Sequence, residues 1–285
     1  MSAAVLEGKT CLVTGASSGI GKETAIGLSR MGARVVMSCR NRERGEAAKS
    51  EIIRRTGNSD LELLLCDLSS LAQVRNLADE VLERYDALHV LVNNAGTFSL
   101  AGGTTIDGFE PTLAVNYLAP FLLTNRLLGL IRTSSPSRII NVSSVSHYGG
   151  RIDLNQITRG KSGVLMSAYS NSKLALVMFT YELARRVQGS GVTVNCVHPG
   201  AVATRIWRLP TFLTRALMIS AKSGAQTTLF LASSPEVEGS TGRYFEKKRE
   251  KRSSIESYDE EKAKLLWDTT CKIVGLPISR EVRSS

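Results

Sequence analysis

The sequence predicts an α/β domain built on a doubly wound, mainly parallel sheet with helices on both faces. Three observations carry that expectation. Short β-rich runs alternate with longer helical patterns, the rhythm of right-handed β-α-β crossovers. The run RVVMSC at 34–39 is nearly continuous in apolar residues, as in a strand covered on both sides. A Gly-rich turn separates the first strand pattern from the first helix pattern.

The elements follow in order. Residues 10–14 read as the first strand. A helix over 21–31 has Ile20, Thr24, Ala25 and Leu28 spaced for one face, and Gly32 stops it. The second strand, 34–39, leads to a helix over 43–55 that ends near Gly57. A third strand at 61–66 precedes a helix over 69–85, which Ser69 or Ser70 can cap. The fourth strand is 88–93. A long helix follows within 109–131, where Pro120 is expected to bend or interrupt it. Strand five at 138–143, a helix over 168–187 and strand six at 192–198 complete a Rossmann-like pattern. Beyond it lie a helix over 223–232, a short strand at 242–245 and a terminal helix over 256–273 with Ala263, Leu266, Trp267 and Thr270 on one side.

The chain has 285 residues, 42% of them hydrophobic and 22% charged, enough to close one core without staples. No repeat or long linker appears, so residues 1–285 are expected to form a single domain. A mixed apolar and basic stretch at 205–220 reads as a substrate lid, and 246–285 as a basic segment followed by the terminal helix. The five cysteines lack metal spacing and read as small buried hydrophobes; their odd count favours a reducing compartment. The three histidines are dispersed and form no zinc motif, so no metal is expected. No run approaches the ~18 apolar residues of a membrane span, and the N-terminus has no signal-peptide core, which points to a cytoplasmic chain. The net charge of +10 is partly local to EKKREKR at 246–252. That run reads first as a solvated surface, with peripheral contact to an acidic membrane as the alternative. Without interleaved aromatics it does not suggest nucleic-acid binding.

The turn after strand one reads Thr14-Gly15-Ala16-Ser17-Ser18-Gly19-Ile20-Gly21. Glycines there allow a tight turn, close approach of a pyrophosphate and close helix–sheet packing, while the helix start presents N–H groups to phosphate charge. Strand two ends in Cys39-Arg40-Asn41 with no acid to bind ribose hydroxyls. Arg40 suits a 2′-phosphate instead, so the expected cofactor is NADP(H). Asp67 and Leu68, after strand three, are placed to meet an adenine. Asn94, Ala95 and Gly96, after strand four, permit close passage of a cofactor, and an Asn there can tie neighbouring strands. Tyr169 and Lys173 share a helix face at i,i+4, where a cation beside the phenol would favour phenolate. Ser143 and Ser144 end strand five on the same rim. Asn116 is a polar residue inside a helix pattern, suited to binding a relay water or to satisfying the backbone.

Together, Thr14-Gly15-x-x-x-Gly19-Ile20-Gly21, Asn93-Asn94-Ala95-Gly96, Ser144, Tyr169-x-x-x-Lys173 and Pro199-Gly200-x-Val202-x-Thr204 resemble the short-chain dehydrogenase/reductase family over about residues 8–245. Within it the chain is similar to the retinol-dehydrogenase-like and WW-domain-oxidoreductase-like group, through segments such as Ser38-Cys39-Arg40-Asn41 and Gly242-Arg243-Tyr244-Phe245. The resemblance implies a catalytic tetrad of Asn116, Ser144, Tyr169 and Lys173. It also implies a nicotinamide flanked by Pro199, Gly200, Val202 and Thr204, and an insertion at 151–165. The expected activity is carbonyl/alcohol interconversion on a lipophilic aldehyde or ketone such as a retinoid, steroid or fatty carbonyl. A reductase of polyketide-like or aromatic metabolites and a non-catalytic NADP-binding scaffold are the alternatives. The resemblance further suggests a homodimer through helices around 109–130 and 168–187.

Overall fold

Parallel strands must be joined by crossovers long enough to return the chain over the sheet, and the alternating pattern supplies them. The computed structural model describes residues 5–99, 103–158, 165–200 and 220–278. Its strands are β1 (Thr10–Thr14), β2 (Arg34–Cys39), β3 (Leu61–Leu65), β4 (Val90–Asn93), β5 (Ser137–Val142), β6 (Val192–His198), β7 (Arg243–Glu246) and β8 (Arg249–Lys251). They form one sheet in the order β3-β2-β1-β4-β5-β6-β7-β8. All neighbours are parallel except the final pair, β7 and β8. The order reverses between β1 and β4, which opens a crevice at the carboxyl ends of those strands.

Side-chain alternation divides the core between the two faces of the sheet. Leu12, Leu91 and Ile139 point to one face, under α3 (Leu71–Arg84), α4 (Pro111–Thr133), α6 (Leu165–Arg186) and α8 (Glu260–Ile273). Val13, Val92 and Ile140 point to the other, under α1 (Gly19–Arg30), α2 (Arg42–Thr56) and α7 (Ala221–Ser233). Helix starts follow local chemistry. Asn41, Ser70, Ser220 and Asp259 each accept a backbone N–H at the head of α2, α3, α7 and α8. Ser18, at the head of α1, makes no such side-chain bond. All five cysteines are buried and free, as small hydrophobes would be.

Pro120 interrupts the α-helix, as expected, without ending it. Its ring crowds the carbonyl of Asn116 four residues earlier and brings it no N–H. The chain widens instead into one π turn, Ala114–Leu118, in which the Ala119 N–H bonds the carbonyl of Ala114. α4 is long and apolar enough to cross a membrane, but 67% of its apolar window is buried inside the fold.

Two features go beyond the expectations. The 151–165 insertion holds a short helix, α5 (Leu154–Thr158). The exposed basic run is a β-hairpin edge, β7–β8, whose two turn residues Lys247 and Lys248 take φ of 50° and 63°. That is the left-handed pair a tight hairpin demands, met here without the usual Asn-Gly. Residues 201–219, including nearly all of the expected lid, lie outside the described residues.

Of the two helices expected at a homodimer, α6 is covered by the chain itself, while α4 leaves Arg126 and Gly129 exposed. Among residues 168–184 only Asn171 escapes full burial, so α6 is buried on every side. α8 lies across it and α4. Trp267 meets Phe121 at 4.9 Å and Phe179 at 5.7 Å between ring centroids, with the Arg186 guanidinium 4.3 Å from its ring. The Tyr117 and Thr270 hydroxyls share a hydrogen bond of 2.7 Å. Trp267→Ala is expected to lower unfolding free energy by ~3–5 kcal/mol, the cost of an emptied aromatic site, read from urea titration.

Candidate active site

The crevice is built first from glycines and one threonine. Gly15 takes φ 68°, and a Cβ there would stand 3.0 Å from the Ala95 backbone. A Cβ on Gly21 would meet Asn94 Nδ2 and the Gly15 carbonyl at 2.4 Å. Neither position accepts a side chain without displacing backbone. Thr14 Oγ1 accepts the N–H groups of Asn94 and Ala95, each at 3.0 Å, and Asn94 Nδ2 donates to the Thr14 carbonyl at 2.8 Å. The β1 and β4 loops are thereby fastened together. Asn93 ties the next strands as expected, donating to Asn141 at 2.8 Å and Thr124 at 2.9 Å.

Gly19 and Ile20 open α1, whose first N–H groups lack intrahelical partners and face the crevice with no side-chain cap from Ser18. The narrow glycine cradle and this uncapped helix start fit the pyrophosphate of a dinucleotide. The Ser17 hydroxyl hydrogen-bonds the Cys39 thiol at the end of β2. Arg40 stands at that end with its side chain 77% exposed, 4.0 Å from Asp67 Oδ2. Asp67 Oδ1 accepts the Ser69 N–H and hydroxyl, and Leu68 is buried beside it. The Asn41 side-chain oxygen caps α2. Pro199 and Gly200 follow β6 on the same rim, while Val202 and Thr204 lie outside the described residues.

α6 and β5 supply the second half. Tyr169 and Lys173 are both buried, with Lys173 Nζ 5.8 Å from the center of the Tyr169 ring. Phe98, from the β4 loop, packs edge-on against Tyr169 at 5.6 Å. The Ser144 hydroxyl, which donates to Ser146 Oγ at 3.2 Å, lies beside the phenol and draws its pKa down. The Ser143 hydroxyl donates instead to the Lys173 carbonyl at 3.1 Å, so the two serines face different partners.

Asn116, in the π turn, accepts the Thr97 N–H at 2.7 Å and donates to the Thr97 carbonyl at 3.0 Å and Ser172 Oγ at 3.1 Å. It clamps the β4 loop to α6 rather than bonding its own helix backbone. Lys173 Nζ and Asn116 Oδ1 both border Gly96.

Lys173 Nζ donates to the Val142 carbonyl at 2.9 Å, and burial pushes its pKa down to about 8. Burial also pushes the Tyr169 phenol above its usual value, and the Ser144 hydroxyl pulls the other way. The lysine is therefore not the permanent cation that i,i+4 spacing suggests; desolvation outweighs proximity for both groups.

Sequence spacing gave no warning of two histidines at this site. His147 Nδ1 lies 2.7 Å from the Ser144 carbonyl, and His198 Nδ1 accepts the Val145 N–H at 3.3 Å. The only available signal was that each lies at or just beyond the end of a strand on the reactive rim.

The family model for short chain dehydrogenase matches residues 9–210. Retinol dehydrogenase 13 of Mus musculus is 41% identical over 98% of this chain and 87% of its own length. Retinol dehydrogenase 14 of Homo sapiens is 42% identical over 95% and 88%. Among solved structures, a putative uncharacterized protein from Mycobacterium Paratuberculosis superposes with a TM-score of 0.80 at 32% identity, covering 96% of each chain. The RhlG/NADP active-site complex from Pseudomonas aeruginosa gives 0.71 at 28%, covering 87% of this chain and 97% of that one.

The lysine sets a pH signature. Between about pH 8 and the ordinary 10.5, the native chain has released the Lys173 proton while the unfolded chain keeps it. This group's contribution to stability therefore rises with pH across that window. The stability of the unmodified chain relative to Lys173→Met is expected to be flat below pH 8 and to climb from 8 to 10.5, as read from urea midpoints of both proteins.

Proposed function

The chain belongs to the short-chain dehydrogenase family, and from that premise we propose that it is an NADP(H)-dependent oxidoreductase interconverting a lipophilic carbonyl and its alcohol. One observation carries the reading: a buried phenol, a serine hydroxyl beside it and a lysine amine behind it stand at the carboxyl rim of a sheet whose glycine crevice fits a dinucleotide.

Gly15, Ser17, Ser18, Gly19, Ile20 and Gly21 would hold the pyrophosphate. Arg40 would take a 2′-phosphate, Asp67 and Leu68 the adenine, and Asn94, Ala95 and Gly96 the adjoining ribose. Pro199, Gly200, Val202 and Thr204 would border the nicotinamide, which supplies or accepts hydride when bound. In reduction, Tyr169 gives its proton to the carbonyl oxygen as negative charge develops there. Ser144 donates a hydrogen bond to the same oxygen and fixes its distance from the phenol. The charged form of Lys173 stabilises the phenolate left behind. Asn116 keeps the β4 loop and α6 in register, so the phenol and amine meet one substrate position. In alcohol oxidation each proton moves the other way.

The lipophilic class is supported by relatives named for retinol and by the apolar side chains Trp207, Leu209, Phe212, Leu213, Leu217 and Met218 in the segment after β6. Retinoid, steroid and fatty carbonyls are the substrates to offer first. For NADP over NAD, the support is the exposed guanidinium of Arg40 at a strand end that carries no acid.

Tyr169→Phe is expected to lower kcat on the preferred carbonyl by ~10²–10⁴-fold while leaving the chain folded, checked by NADPH consumption with product identification. Arg40→Ala is expected to reduce kcat/KM for NADP(H) by about 10–100-fold, the loss of a charged hydrogen-bond pair, with little change for NAD(H). Steady-state constants with both cofactors read that difference.

A further inference from the structure

We propose that His147 is a positioning residue: its Nδ1–H aims the Ser144 hydroxyl by holding the Ser144 carbonyl. The inference rests on the reading of Ser144 and Tyr169 as the reacting pair.

Ser144 ends in an extended conformation, φ −153° and ψ 153°, and heads a single turn of 3-10 helix, Val145–Gly149. The peptide plane that follows it has an imidazole at each polar end. Its carbonyl accepts the His147 backbone N–H at 3.1 Å and lies 2.7 Å from His147 Nδ1, which adds a second donor, and its N–H, on Val145, donates to His198 Nδ1 at 3.3 Å. A plane pinned at both ends fixes ψ of Ser144, and with it the anchor from which the hydroxyl reaches the phenol.

The tautomer of His147 follows from its second contact. The Ser254 N–H donates to Nε2 at 3.1 Å, and a backbone N–H can only donate. Nε2 therefore carries the lone pair, and the ring proton sits on Nδ1, directed at the Ser144 carbonyl. The ring is 0% exposed, packed between the tilted rings of Tyr148 at 4.2 Å and Tyr244 at 4.8 Å. Burial lowers its pKa, which keeps the ring neutral.

Ser254 itself belongs to a fastened strap. The Tyr181 hydroxyl on α6 shares a 2.6 Å hydrogen bond with Ser253 Oγ, the Ser253 N–H donates to the Tyr258 hydroxyl at 3.1 Å, and Tyr148 donates to the Arg252 carbonyl. This strap lies beyond residues 9–210, the part matched by the family model. Residues far downstream thus provide the bearing on which the serine turn rests.

Three substitutions separate the two ring nitrogens. Asparagine places an amide donor where Nδ1 stands, glutamine places a polar end where Nε2 stands, and phenylalanine keeps the ring with neither. His147→Phe and His147→Gln are expected to lose about tenfold or more in kcat for carbonyl reduction, with the carbonyl KM and the NADPH dissociation constant little changed. His147→Asn is expected to keep most of kcat. Equal kcat for the Gln and Asn variants, or losses that simply track thermal stability in all three, would overturn the proposal. Nitrogen-15 NMR of the unmodified chain tests it without any variant: a His147 ring protonated on Nδ1 is expected, and one protonated on Nε2 refutes it. If Tyr169→Phe turns over normally, the reacting pair itself has been misassigned. If Tyr169→Phe is inactive while His147→Gln matches the unmodified chain, only the positioning role fails.

Discussion

Lys173 carries its amine into a region that water barely reaches, and much of the site is arranged around that desolvation. An unpaired ammonium there would be costly, so a carbonyl must stand at the right place, and Val142 at the end of β5 provides it. The Ser143 hydroxyl bonds the Lys173 backbone from the neighbouring strand position, which locks helix to sheet at the same level. Once the lysine is fixed in this way, the phenol one turn earlier on α6 has little freedom left. Its edge meets Phe98 and its oxygen meets Ser144.

Such a burial requires α6 to be covered on every side, and a six-strand β-α-β sheet alone does not do that. The covering comes from the last third of the chain. α8 drives Trp267 between the aromatic side chains of α4 and α6, and the strap at 252–258 closes over the serine turn. Glu182, buried on α6, illustrates the same demand. Its carboxylate is matched by Arg185 and Arg186 one turn further on, at 2.8 and 2.7 Å. The Glu182 charge is partnered within the helix, whereas the Lys173 amine and the apolar surface are met by elements distant in sequence.

Much of the scaffold was legible without coordinates. Strands at 10–14, 34–39 and 192–198 agree residue for residue, because their apolar runs end abruptly in glycine or polar residues. Helix ends at Gly57 and a start at Ser70 follow capping chemistry. β8 was not legible: Arg249, Glu250 and Lys251 have weak strand preference, and their pairing comes from the hairpin that precedes them. Pro120 was legible as an interruption of the α-helix, but the form it takes, a single π turn, was not.

For the site, the sequence by itself determined which groups come to the reactive rim. Strand ends and the i,i+4 spacing of Tyr169 and Lys173 are local geometry, and local geometry is written in adjacent residues. The tertiary structure alone decided their electrostatics and support. Lys173 is pushed down and Tyr169 up because distant elements exclude water from both, and helix spacing carries no information about solvent. His147 finds Ser254 across 107 positions and His198 reaches Val145 across 53, contacts that arise only when sheet, turn and strap are packed together.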